Sequence, residues 1–215
     1  MGPIKAIVEN VMLPFLTFSY ENIFPNYGVS IILLTVLIKI IFFPLTKKQF
    51  HSMKIMQKLK PKLQEIQKKY KKQPEKLQKE MMQLYKDNKV NPLGGCLPLL
   101  IQLPFLFALY YTINSDGFSA LIAQPGINPG LFSFWLPNLG MPDRFYILPL
   151  LIGLSAFYSQ KLTITDEKQA KMMMFMPLIM FVICLNLPSG VLLYWAASQI
   201  ISTGQQILVM KENTT

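Results

Sequence analysis

The sequence predicts an all-α polytopic membrane protein, with five transmembrane helices around a hydrophilic groove, a cytoplasmic helical hairpin and an N-terminal amphipathic interfacial helix. Three observations predict it. Of 215 residues, 52% are hydrophobic and only 15% are charged, a balance foreign to soluble domains. Five apolar stretches approach the length of a membrane crossing. Charge is segregated: the net charge is +10, and fourteen lysines crowd into residues 47–89.

Residues 1–27 form the first unit. Ile4, Ile7, Val8, Val11, Met12, Phe15 and Leu16 recur at helical spacing. This predicts an amphipathic helix, lying along a membrane surface or packed on the bundle. The segment lacks the basic start, uninterrupted apolar core and small-residue cleavage site of a secretory signal.

Residues 28–45 (GVSIILLTVLIKIIFFPL) read as the first span. Lys39 lies inside it, about 16 Å from Gly28 along a helix and near the middle of a ~30 Å hydrocarbon layer. A cation there costs several kcal/mol unless it meets water, protein polar groups or a counter-charge. Two readings are open: a lysine that snorkels to the cytoplasmic edge, or one that lines a wet cavity.

Residues 46–96 form a cytoplasmic insert. Leu59, Leu63, Ile66 and Tyr70 make one apolar helical stripe, and Leu77, Met81, Leu84 and Tyr85 another. Between them Gln73-Pro74 breaks the helix, with Pro74 suited to the first turn of the next. The two stripes pack as an antiparallel hairpin, lysines outward. Lys58, Lys62, Lys68, Lys69, Lys71 and Lys72 are the candidates to meet phosphates or anionic headgroups; alternatively the charge serves only to orient the chain. Met53, Met56, Met81 and Met82 offer either an adaptable apolar surface or ordinary hairpin packing.

Residues 97–215 hold four more spans, at 97–113, about 145–160, about 172–187 and about 190–209, and a short tail. Prolines and glycines punctuate their ends. Several spans have only about 15–17 strongly apolar residues against roughly 20 for a comfortable crossing. They imply a locally thinned bilayer or ends extended by interfacial aromatics. Residues 46–95 carry fourteen lysines and four acids, residues 161–171 three lysines, and residues 114–144 one Arg and two Asp. Positive-inside bias then places the C-terminus in the cytoplasm and the N-terminus outside.

The last span carries a polar stripe: Trp195, Ser198, Gln199, Ser202, Gln205 and Gln206. Thr35 shares the face of Lys39, one turn earlier. Gln102 lies in the second span, and Ser155, Ser159 and Gln160 in the third. Each alone could be interhelical glue; together they indicate a hydrophilic concavity. No acidic residue falls inside a span, which favours a water-open cavity where Lys39 attracts something negative. Cys96 and Cys184 form no CxxC pair, and His51 has no Cys or His neighbour, so no metal site is expected. No Walker motif, nucleophile–base pair or carboxylate dyad is present, and neither an enzyme activity nor a cofactor is expected.

Seven co-linear stretches carry a resemblance: NYGVSIILLTVLIK at 26–39, FPLTKKQ at 43–49, KLKPKLQEIQKKY at 58–70, VNPLGGCLPLLIQLPFLFALY at 90–110, FYSQKL at 157–162, KMMMFMPL at 171–178 and LPSGVLLYW at 187–195. Across nearly its whole length the chain resembles the YidC/Oxa/Albino membrane-protein insertases, most closely the bacterial YidC branch. The resemblance implies a five-helix core whose groove opens to cytoplasm and lipid and is closed outside. Lys39 occupies the position of the family's groove cation, often Arg there; lysine keeps the charge but not the bidentate fork. Thr35 and Trp195 match positions that face substrate in relatives, and Gln160 is carried over with them. Implied partners are nascent membrane proteins, the ribosome, a targeting factor, the Sec translocon and lipids, with no sequence-specific nucleic-acid recognition; the implied location is the bacterial plasma (inner) membrane. Gram-negative relatives add an anchor span and a large periplasmic domain ahead of this core, and Met1-Gly2-Pro3 reads either as a trimmed start or as that of a minimal core. The rival classes are a transporter with Lys39 as anion site and a purely structural assembly factor; the absence of inverted repeats argues against the transporter.

Overall fold

The computed structural model describes residues 6–90, 97–123, 127, 130–132, 134–163 and 175–211. Cys96 with the stretch 91–96, most of the loop 161–171 and the start of the fourth expected span at Met172 lie outside the described residues. Every regular element among the described residues is helical.

Helix α1 begins as a π-helical segment, Val8–Met12, and continues as an α-helix, Leu13–Asn22. Val8, Met12 and Leu16 are buried against the bundle, while Val11 and Phe18 are exposed. The amphipathic pattern therefore has one protein-facing side, in keeping with its period. The chain turns through 120° into α2, Tyr27–Ile41. Asn26 caps α2: its Oδ1 accepts the Val29 N–H at 3.1 Å, satisfying a donor that has no partner within the helix.

The first expected span ran unbroken to Leu45, whereas α2 stops at Ile41. Phe42 leaves helical geometry (φ −88°, ψ 0°), and α3, Phe43–Lys58, starts after it. Pro44 accounts for the break, since it has no N–H and its ring crowds the carbonyl four residues back, at Ile40. Helices α4, Lys60–Lys69, and α5, Pro74–Asp87, form the expected hairpin. Leu59, Leu63, Tyr85 and Val90 are its buried centre, flanked by Ile55, Met56, Met81 and Leu84. The hairpin's second helix ends in a Schellman cap: Val90 N–H donates to Tyr85 O and Lys89 N–H to Lys86 O. Lys89 takes the left-handed conformation (φ 54°) that such a cap needs.

The remaining helices are α6, Leu97–Ile113; α7, Asp116–Ile122; α8, Ile147–Thr163; α9, Met176–Cys184; and α10, Ser189–Lys211. The central element is α10, which packs against α2, α3, α6 and α8, while α9 rests on α8. Among the described residues no single helix is both long and apolar enough by itself to cross a membrane, although α1 and α2 together pass as a bent pair. With 15 and 17 residues, α2 and α6 are only about 22 and 26 Å long. The 23-residue α10 is about 34 Å long, and its polar stripe dilutes its hydropathy. Apolar side chains nonetheless face outward: Phe107 on α6, Leu154 and Phe157 on α8, Leu178 and Val182 on α9. Some polar side chains, among them Thr35, Thr112, Ser198 and Gln206, are buried between the helices.

At one end of the bundle, described residues of the segment between α7 and α8 pack on the helices. Gly28 lets this segment approach α2, since a Cβ there would lie 2.6 Å from Leu131 Cβ. Asn26 Nδ2 also donates to Leu131 O at 3.2 Å. At α10, Ser189 N–H donates to Met141 O (2.6 Å) and Gly190 N–H to Leu139 O (2.9 Å). Loop carbonyls thus take first-turn donors that a helix cannot satisfy internally. A Cβ on Gly190 would sit 3.3 Å from that same Leu139 oxygen. The buried Asp143 carboxylate accepts from Trp135 Nε1 (2.7 Å), Phe145 N–H (3.1 Å) and Leu148 N–H (2.7 Å). It thereby caps α8 and ties the loop to it. The turn requires Tyr146 at φ 56°, a strained position for a bulky residue.

Gly28→Ala is expected to force Leu131 off α2 and to destabilise the protein by about 1–3 kcal/mol, the usual range for overpacking. Thermal melting of the purified variant in detergent measures it.

Candidate functional site

The site is built where α2, α6 and α10 meet. Lys39 lies near the C-terminus of α2, and its Nζ donates to Ser202 Oγ of α10 at 2.8 Å and to Gln102 Oε1 of α6 at 3.4 Å. Ser198, one turn before Ser202, donates its Oγ to the same Gln102 oxygen at 3.1 Å. One amide oxygen thus joins all three helices. Because that oxygen accepts twice, the amide orientation is set by the network. The partners recorded for Lys39 are neutral, with no carboxylate among them.

Beside the cluster lies a cavity of about 30 Å³, lined by Ile38, Lys39, Phe42, Thr46, Gln49, Ile101, Gln102 and Ser202. That is space for a single water, not for a helix. The amide nitrogens of Gln49, Gln102 and Gln206 are buried, and no protein acceptor serves them among the described residues. Such groups cost about 1–3 kcal/mol each if they stay unsatisfied, so the region has unused donor capacity as well as a positive charge.

The structure brings together four of the expected groove residues, namely Lys39, Gln102, Ser198 and Ser202. Thr35 is buried one turn before Lys39, with its hydroxyl turned back to Ile31 O at 2.7 Å. Trp195 packs in the main apolar core and is only 8% exposed, rather than lining the cavity. It shares the face of Ser198 and Ser202 on α10, but it lies one to two turns nearer the N-terminus, where its ring meets the apolar core. Gln199 is half-buried and its carbonyl accepts the Thr203 hydroxyl. Gln160 is half-buried on α8, near a separate polar pair in which Ser159 Oγ donates to Gln206 Oε1 at 2.8 Å.

Thr46 and Gln49 were not expected at the cavity. Ile38 and Lys39 on α2 align with Thr46 and Gln49 on α3 once the helix resumes after Phe42. The signal was the spacing 39, 42, 46, 49, which follows one helical face. All six candidate hairpin lysines, Lys58, Lys62, Lys68, Lys69, Lys71 and Lys72, are exposed. Lys69 Nζ lies 5.4 Å above the Tyr70 ring. Among the described residues no cluster of His, Cys, Asp and Glu could hold a metal. Cys184 is a buried free thiol.

Known proteins resemble the chain over this whole arrangement. The family model described as 60Kd inner membrane protein matches residues 18–215. A relative in Fusobacterium nucleatum subsp. nucleatum, named membrane protein insertase YidC, is 45% identical over 96% of this chain and 98% of its own length. A relative of the same name in Magnetococcus marinus is 45% identical over 90% of this chain, but only 34% of its own length. The chain likewise spans about a third of the length of the relatives of that name in Syntrophus aciditrophicus and Geobacter sulfurreducens. A crystal structure described as an active YidC insertase with the first transmembrane domain resolved superposes with a TM-score of 0.74. It is 29% identical and covers 93% of this chain and 45% of that one.

Replacing Gln102 by Leu strands the Ser198 hydroxyl and weakens the hold on Lys39. It should cost about 1–3 kcal/mol. The double variant Lys39→Met/Gln102→Leu should recover part of that loss, because removing both partners leaves no buried charge unpaired. Melting of the four proteins of this cycle in detergent checks both statements.

Proposed function

The chain belongs to the 60Kd inner membrane protein family, and from that membership we propose that it inserts nascent membrane proteins into the bacterial inner membrane. One observation carries the mechanism: a half-buried ammonium whose hydrogen-bond partners among the described residues are neutral, beside a water-sized cavity. The bond to Gln102 is long at 3.4 Å, and neither partner carries a charge; both leave Lys39 receptive to an anion.

A client with an acidic translocated tail supplies that anion. A pair at about 4 Å gains roughly 4 kcal/mol where the effective dielectric constant is near 20, enough to draw the tail partway across. Polar groups from α6 and α10 replace part of the hydration the tail loses. The client's own apolar helix then leaves laterally into lipid, driven by burial of apolar surface. No covalent step or nucleotide is needed.

On this reading α2, α6, α8, α9 and α10 are the five spans, with the loop end outside and the lysine-rich hairpin in the cytoplasm. The outward apolar faces of α8 and α9 support lipid exposure. The short helices favour a thinned bilayer, which shortens the client's path. The 120° turn between α1 and α2 suits an α1 lying near the interface. Lys58, Lys62, Lys68, Lys69, Lys71 and Lys72 present a positive surface to the ribosome, a targeting factor or anionic lipid; the Sec translocon is a further partner for larger clients.

The test uses the purified chain in proteoliposomes with a client bearing an acidic translocated tail. Lys39→Ala should lower insertion at least tenfold and Lys39→Glu further, because the pair attraction of roughly 4 kcal/mol is lost, offset in part by the desolvation that the charge no longer costs. Lys39→Arg should retain most of it. Undiminished insertion by both Ala and Glu variants rejects the reading.

A further inference from the structure

Lys54 is the second lysine held inside the protein, at 9% exposure, and the insertion mechanism above does not use it. It lies on α3, one helix beyond Lys39. Its Nζ donates to Met210 O at 2.6 Å and to Val209 O at 3.5 Å. These carbonyls belong to the last described turn of α10; carbonyls near a helix C-terminus carry the negative end of the helix dipole. A lysine on one helix thus caps the C-terminus of another. Phe50 and Met53 of α3 pack on Val209 beside it.

The same helix is a wall of the Lys39 cavity. Thr46 and Gln49, both on α3, line it opposite Gln102 of α6 and Ser202 of α10. Helix α3 is bounded by two breaks that could act as hinges. Phe42 precedes Pro44 at one end, and Leu59 precedes Pro61 at the other, with φ −81° and ψ −8°. Beyond its junctions, α3 is attached chiefly to α10, with smaller contacts to α6 and α8. Swinging α3 away would remove Thr46 and Gln49 from the cavity together, and the polar cluster would open towards the lysine-rich hairpin.

We propose that Lys54 is a positioning residue: by capping α10 it holds α3 closed across the Lys39 cavity, and its release opens that cavity. The purpose of such a gate rests on the insertase reading, but the gate itself can be tested without a client. The full chain, with Cys96→Ser and Cys184→Ala to remove native thiols, carries Thr46→Cys and is reconstituted in liposomes. The reaction rate of that thiol with a membrane-impermeant maleimide reports how open the cavity is.

Lys54→Met keeps the apolar stem and removes the donor; it should raise the rate about tenfold, as expected for loss of a charged hydrogen bond. Lys54→Arg can still donate to the carbonyls and should stay within about twofold of the parent. Melting temperatures of the three proteins, measured beside the rates, separate local opening from global unfolding. Equal rates for Lys54→Met and the parent would overturn the gate. So would an equal rise in Lys54→Met and Lys54→Arg, or a rise matched by collapse of the melting temperature. Any of these leaves the insertase reading standing, whereas failure of the parent to insert a client would strike at that reading alone.

Discussion

A half-buried lysine ammonium held by neutral oxygens is the constraint on which this bundle depends. Lys39 meets a serine hydroxyl and a glutamine carbonyl, and these come from different helices. Either bond alone recovers less than the several kcal/mol that burial of the charge costs. Helices α2, α6 and α10 must therefore converge at their polar residues, and Gln102 Oε1 is where they do so. The same arithmetic turns a structural demand into a functional capacity, because an incompletely compensated cation is a standing attraction for an anion.

The two ends of the bundle solve opposite problems. At one end, backbone groups that helices leave unsatisfied are matched to the loop between α7 and α8. Leu139 and Met141 carbonyls serve α10, the Asp143 carboxylate serves α8, and Gly28 allows Leu131 onto α2. This end is closed by hydrogen bonds that are each hard to replace inside a low-dielectric environment. At the other end, closure relies on one lysine capping one helix and on a three-residue apolar contact.

Much of this was legible in the sequence, because the strongest signals are periodic. The hairpin stripes, the polar stripe of α10 and the lysine inside an apolar run all follow from helical spacing and composition. Ser198 and Ser202, four residues apart, necessarily share a face, and the structure puts that face on Gln102. Other features are hidden because the apolar run continues to Leu45, past the break at Phe42. The end of that run separates Lys39 from Thr46 and Gln49, although 39, 42, 46 and 49 lie on one face. Trp195 went the other way. It shares the polar stripe in a linear reading, but its large ring is better buried among apolar neighbours than beside a cavity the size of a water.

The sequence by itself determined that the chain is helical, that two thirds of its basic residues lie in the insert after the first apolar run, and that one cation sits where hydrocarbon is expected. These are properties of order and period, and they survive any particular packing. The tertiary structure decided which oxygens hold Lys39, that α3 walls its cavity, and that Lys54 seals the end of α10. Those contacts join residues 63 to 163 positions apart. Local periodicity says which way a side chain points on its own helix; only the packing of several helices says what it meets.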